Sequence, residues 1–140
     1  MKKIFLDTNI LLDVIEGRPK FLIASSNVMD FAIRKKIQLF ATSLTFANCA
    51  YIARKNVGYE NAIKGLIALK KLITIAQMDD QQCEEALNSE APDFEDMLQY
   101  VAAKSARCEI IVTRDHNRHF PTGGIPIMSP ESFLEYFAKE

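Results

Sequence analysis

Lys3-Ile4-Phe5-Leu6-Asp7-Thr8-Asn9-Ile10-Leu11-Leu12 is the stretch on which the fold turns. Apolar residues run into a carboxylate, two small polar residues follow, and a second apolar run begins at helical spacing. A short apolar run bounded by turn signals reads as a buried strand, here residues 3–7. Thr8 is the expected helix N-cap behind it, and Ile10, Leu11, Val14 and Ile15 form the apolar stripe of the first helix. Asp7 then sits at the carboxyl end of a strand, where open α/β sheets bind their ligands. A carboxylate at that point is either a helix cap or a piece of chemistry.

Working outward, Gly17-Arg18-Pro19 ends the first helix and a second follows over residues 20–36. Residues 38–43 read as a strand, 44–55 and 59–72 as helices separated by Asn56-Val57-Gly58, and 73–76 as a short strand. Asp79-Asp80 opens an acidic helix, and Ala91-Pro92-Asp93 breaks the chain before a helix reaching Arg107. Glu109-Ile110-Ile111-Val112-Thr113 is β-branched and apolar, the clearest strand. After a loop over 114–124, Ile125-Pro126-Ile127-Met128 suits an edge strand, and Ser129-Pro130 starts the last helix. Strands alternate with helices throughout. That is the pattern of a three-layer α/β/α domain, a central parallel sheet of about four to five strands covered on both faces.

The chain of 140 residues is expected to form a single domain, 1–140, and its 49% hydrophobic content suffices for one core. Apolar runs are too short for a membrane span or a signal peptide, so a soluble, cytoplasmic protein is expected. Cys49, Cys83 and Cys108 are widely spaced and odd in number, which argues for reduced thiols. The net charge of −1 hides a strong asymmetry. Arg34, Lys35, Lys36, Arg54, Lys55, Lys64, Lys70 and Lys71 precede Met78 with Glu60 as the one acid among them. Asp79, Asp80, Glu84, Glu85, Glu90, Asp93, Glu95 and Asp96 then follow with no base. Two solvated faces would give this pattern, and so would a basic rim for phosphates beside an acidic metal site.

Asp7 and Asp115 both lie just beyond presumed parallel strands, so they share one edge of the sheet. At about 100° per residue, Asp93, Asp96 and Tyr100 cluster on the border of their helix, beside Phe94, Leu98, Val101 and Ser105. Taken singly, each acid suits a cap or a positive helix end. Taken together they repel: two carboxylates about 4 Å apart cost about 4 kcal/mol at an effective dielectric constant of about 20. Protons or a cation must then lie between them, and hard oxygen donors suit Mg²⁺ or Mn²⁺. Such a cation serves phosphodiester cleavage.

Read in order, Leu6-Asp7-Thr8-Asn9, Asp93-Phe94-Glu95-Asp96, Ile111-Val112-Thr113-Arg114-Asp115 and the closing Ile-Pro-Ile strand and Ser-Pro-Glu-Ser-Phe-Leu helix resemble PIN domains over the whole chain. The resemblance implies a Rossmann-like sheet and a Mg²⁺- or Mn²⁺-dependent ribonuclease. Asp7, Asp96 and Asp115 match the family's acids, and Asp93 matches an extra acid of one branch. Thr8, Asn9 and Thr113 match the small polar residues that steady the site. Many small bacterial or archaeal members are toxins of toxin–antitoxin pairs of the VapC-like type, often dimers. The implied partners are therefore an RNA substrate, a small antitoxin protein and a second copy of the chain.

The chain departs from the family pattern at one place. The usual second acid, a glutamate in the helix after the second strand, is here Asn48, and no acidic residue lies between Asp30 and Glu60. An amide can ligate a hard cation or bind its water, but it brings no charge. Either Asp93 supplies the charge or the site binds metal weakly. In the second case the fold serves as a nucleic-acid- or protein-binding module. Weaker candidates are zinc on His116 and His119, and base stacking on Tyr51, Tyr59 or Tyr100. There is no P-loop, no GxGxxG and no nucleophilic-serine elbow. A receiver-like signalling domain would want paired acids after the first strand, where Thr8-Asn9 stand.

Overall fold

The computed structural model describes residues 1–115 and 118–139. The elements run β1 (Lys2–Leu6), α1 (Thr8–Ile15), α2 (Leu22–Ile33), β2 (Ile37–Thr42), α3 (Ser43–Val57), α4 (Tyr59–Lys70), β3 (Ile73–Ala76), α5 (Asp80–Asn88), α6 (Phe94–Ser105), β4 (Ile110–Val112), β5 (Ile127–Met128) and α7 (Pro130–Ala138). Every strand pairs in parallel, in the order β3-β2-β1-β4-β5. The expected three-layer α/β/α architecture is therefore present. Among the described residues no helix is long and apolar enough to cross a membrane.

The alternation of β1 explains the two cores. Ile4 and Leu6 point to one face, where α1, α2, α3, α4 and α7 pack through Leu11, Val28, Cys49, Leu66 and Phe133. Phe5 points to the other, beneath Tyr100, Ala102 and Ala103 of α6. Phe133 is fully buried, so it seats α7 over the sheet.

Connections from β1 run first toward β2 and β3, then cross over to β4. The order in which strands are added reverses between β1 and β4, which makes that junction the topological switch point where a crevice opens. The register places Leu6 beside Val112. The next residues, Asp7 and Thr113, therefore emerge side by side, and the Asp7 amide still donates to the Val112 carbonyl at 3.0 Å.

Two local expectations are corrected. The N-cap of α1 is Asp7, not Thr8: its extended backbone (φ −78°, ψ 161°) lets the carboxylate accept from the Thr8 amide at 2.8 Å. The chain leaves the sheet right after Leu6, so the turn into the helix falls one residue earlier. On α6, Phe94 is 42% exposed while Asp96 and Tyr100 are 3% and 5% exposed. The helix is rotated so that Asp96, Gln99 and Tyr100 face inward, each polar group finding a partner.

Candidate functional site

Asp7, from the end of β1, is held by three donors among the described residues. The Thr8 amide binds Oδ1, while the Thr113 hydroxyl and the Arg118 Nε bind Oδ2, each at 2.7 Å. Thr113 is fixed in turn, accepting from the Asn9 amide at 3.3 Å and from the Asp115 amide at 3.1 Å. The other end of Asn9 accepts from the Arg114 amide at 3.2 Å. The start of α1 and the end of β4 are thus stitched together, and Asp115 is placed beyond them. Thr8 contributes through its backbone, its carbonyl accepting from the Cys49 thiol at 3.7 Å.

Asp96 comes to the same point from the first turn of α6. Its Oδ1 accepts from Arg118 Nη1 at 3.0 Å and its Oδ2 from the His119 amide at 2.9 Å. Asp115 Oδ2 lies 3.7 Å from Arg118 Nε. One guanidinium therefore touches all three acids, and two of the three are almost wholly buried. Burial of Arg118 disfavours its charge, but Asp7 and Asp96 outweigh that, so its pKa lies above the ordinary arginine value.

Asp93 stands on the far side of Asp96. It is the N-cap of α6, its Oδ1 accepting from the Asp96 amide at 2.9 Å. Asp93, Asp96 and His119 offer ligand atoms all within 4.8 Å of one another. The zinc alternative cannot be placed whole, because His116 lies outside the described residues.

Asn48, on α3, donates to Glu95 of α6 at 2.9 Å, so an acid from another helix meets the uncharged amide. Beneath that contact lie Thr42, Thr45 and Gln99. The Thr42 hydroxyl donates to Gln99 Oε1 at 3.0 Å and Gln99 Nε2 donates to Thr45 at 3.1 Å. This buried network ties the end of β2 to α6 and fixes how far α6 stands from the sheet. Tyr100 does not serve base stacking: it is buried, and its hydroxyl accepts from the Ile125 amide at 3.0 Å. Tyr51 and Tyr59 are exposed, with Arg54 lying over the Tyr51 ring at 4.4 Å. The basic residues of α3, α4 and the turns after α2 and α4 are all exposed.

Sequence reasoning missed Arg118, the residue that joins the three acids. It also missed Asp13, fully buried against Arg114 (2.6 and 2.9 Å), and Ser25 (2.7 Å). The helical spacing of α1 puts Asp13 off its apolar stripe, an expectation the structure corrects because Arg114 and Ser25 reach over to it. The available signal was the arginine directly after Thr113.

A groove of about 720 Å³ opens beside the acids, lined by Thr113, Asp115, Arg118, Phe120, Gly124 and Ser129 among others. Carboxylate oxygens are the donors a hard divalent cation takes. The described residues whose ligand atoms already lie within 4.8 Å of one another are Asp93, Asp96 and His119, while Asp7, Asp96 and Asp115 are linked through Arg118.

Comparison with known proteins bears on this geometry. A family model described as "PIN domain" matches residues 3–117. The protein named Ribonuclease VapC1 of Aquifex aeolicus is 24% identical over 139 residues, which cover 96% of this chain and 94% of that protein. Among solved structures, Mycobacterium tuberculosis VapC20, titled a sarcin-ricin loop cleaving toxin, superposes with a TM-score of 0.65 at 11% identity, covering 81% of this chain and 91% of that one. A toxin–antitoxin complex from Klebsiella pneumoniae gives 0.65 at 22% identity, covering 90% and 96%. VapBC2 of Rickettsia felis, bound to a DNA fragment from its promoter, gives 0.63 at 18% identity, covering 91% and 97%.

Proposed function

The chain belongs to the PIN domain family, and from that premise we propose that it is an endoribonuclease that uses Mg²⁺ or Mn²⁺ and acts as the toxin of a toxin–antitoxin pair. The observation that carries this reading is the convergence of Asp7 Oδ2, Asp96 Oδ1 and Asp115 Oδ2 on a single cationic group. The donor set fits a hard divalent cation, being made of carboxylate oxygens. Asp7, Asp96 and Asp115 would hold it, with Asp93 adding charge behind Asp96. When bound, the cation supplies an activated water and stabilises the developing phosphate charge.

The protein's own groups supply the rest. The Thr113 hydroxyl and Thr8 amide orient Asp7, and Asn9 keeps the two strand ends in register. The exposed lysines and arginines of α3 and α4 position RNA through its phosphates without reading sequence. The names of the relatives, a ribonuclease and toxins solved with antitoxins, support an RNA substrate and a small antitoxin partner. The same reading takes residues 1–140 as one domain, working in the cytoplasm as a homodimer.

A second reading is favoured by Asn48, which meets Glu95 and brings no charge of its own. It makes the chain a nucleic-acid- or protein-binding module with a weak metal site. Incubation with mixed RNA and Mn²⁺ separates the two. Cleavage is expected from the wild type, with Asp7→Asn and Asp96→Asn each reducing it by more than the roughly 10–100-fold of outer-shell substitutions. RNA binding without cleavage by the wild type would favour the module, and cleavage retained by both variants would trace it to a contaminant.

A further inference from the structure

We propose that Arg118 is the resident counter-ion of the carboxylate cluster, and that a divalent cation binds there only by displacing it. The proposal rests on the reading of the cluster as a metal site, and adds to it a built-in competitor from the same chain.

The geometry is that of substitution rather than of neighbourhood. Arg118 uses Asp7 Oδ2 and Asp96 Oδ1, with Asp115 Oδ2 at 3.7 Å. These are the oxygens that a cation held by the same three acids would take. Both close bonds are charge-assisted, and the fork spans two acids at once, which a point charge on a flexible stem does not do. Guanidinium and metal cannot share those lone pairs at ligand distance.

The residue is also placed so that it can leave. Arg118 lies on the connection between β4 and β5, outside any helix or strand. The backbone beside it is held by a bond of its own, the His119 amide donating to the other oxygen of Asp96, Oδ2. The side chain is 27% exposed and lines the groove, so its head has open space to swing into. In the absence of metal Arg118 sets one positive charge between buried Asp7 and Asp96 and offsets part of their repulsion. In its presence a double charge replaces a single one. The apparent metal affinity is then reduced by the fraction of molecules in which Arg118 occupies the site.

The test is calorimetric titration of the chelator-stripped full chain with Mn²⁺, comparing wild type with Arg118→Ala and Arg118→Lys. Circular dichroism checks that each variant is folded, and Arg118→Gln replaces the alanine variant if that one is not. Arg118→Ala is expected to bind Mn²⁺ roughly tenfold tighter or more, as removal of a competitor occupying the site about 90% of the time requires. Arg118→Lys should fall between, since it keeps the charge but cannot span Asp7 and Asp96. Thermal melts give a second readout of opposite sign: without metal, Arg118→Ala melts below wild type, and Mn²⁺ raises its melting temperature by the larger amount. Equal or weaker Mn²⁺ binding by Arg118→Ala overturns the displacement while leaving the metal site standing. Absence of Mn²⁺ binding in wild type and variants alike overturns both.

Discussion

Asp13 is fully buried one turn into the helix behind the site, and three side chains gather around its carboxylate. Arg114 makes a forked pair with both of its oxygens, Ser25 donates to one of them, and Arg18 lies 3.7 Å away. The Arg114 guanidinium rests on the Phe21 ring at 3.7 Å, which shields one face of the pair, while the Arg114 side chain remains 19% exposed. A buried pair is not itself a large stabilising term, but breaking one leaves a charge without a partner. Asp13→Ala is therefore expected to cost about 3–5 kcal/mol in urea denaturation. A loss below about 1 kcal/mol, the size of an exposed pair, would mean that Arg114 recovers its solvation by turning outward. The same substitution frees Arg114 beside Asp115, so the residue matters to the site as well as to the core. The local sequence can point to Arg114, directly after Thr113, but not to its pairing with Asp13. Asp13 and Arg114 lie about a hundred positions apart and meet only because β1 and β4 are neighbours.

At the scale of elements, α6 carries two demands on one residue. Asp93 is the N-cap of the helix, and its carboxylate also lies within 4.8 Å of ligand atoms of Asp96 and His119. Asparagine caps as well as aspartate does, whereas alanine does not cap. Asp93→Asn is expected to leave the thermal stability near that of the wild type while weakening Mn²⁺ binding. Asp93→Ala is expected to lose about 1 kcal/mol of stability in addition. Unchanged Mn²⁺ affinity in Asp93→Asn would reduce Asp93 to a cap and leave Asp7, Asp96 and Asp115 as the ligand set. Several elements were legible in the sequence because they carry their own start signal or a continuous apolar run. Asp79 with Gln82 forms the capping box of α5, Ser129-Pro130 opens α7, and Ile73–Ala76 is a strand with the bounds its apolar run predicts. The rotation of α6 was not legible. Its inward face holds Asp96, Gln99 and Tyr100, whose burial depends on Arg118, Thr42, Thr45 and Ile125 from other parts of the chain. A hydropathy pattern scores such residues as outward-facing, since their partners are invisible until the topology is known.

The whole molecule explains why three acids so far apart in sequence were recognisable as one group. Parallel strands bring their carboxyl ends to one edge, and the reversal between β1 and β4 leaves a crevice there. Asp7 and Asp115 could be placed by that rule alone. Arg118 could not, because a loop arginine has neither period nor strand end to announce it. The same close packing that forms the crevice buries two thiols. Burial pushes Cys49 up to about 12, with Asp7 and Glu16 adding to the rise and Arg18 opposing it. Cys108 is likewise pushed up to about 12 by burial, against the pull of Lys3. In the unfolded chain these thiols titrate near 9.0. The folded state therefore binds more protons than the unfolded state above that pH, and stability must fall as pH rises. The contribution is whole below about pH 9 and is lost progressively toward about 12, at about 1.4 kcal/mol per thiol for each unit. Urea midpoints measured across this window should drop more steeply for the wild type than for a Cys49→Ala, Cys108→Ala double variant. Parallel slopes would show that both thiols reach water in the native protein, and that the core around β1 and β4 is looser than its packing indicates.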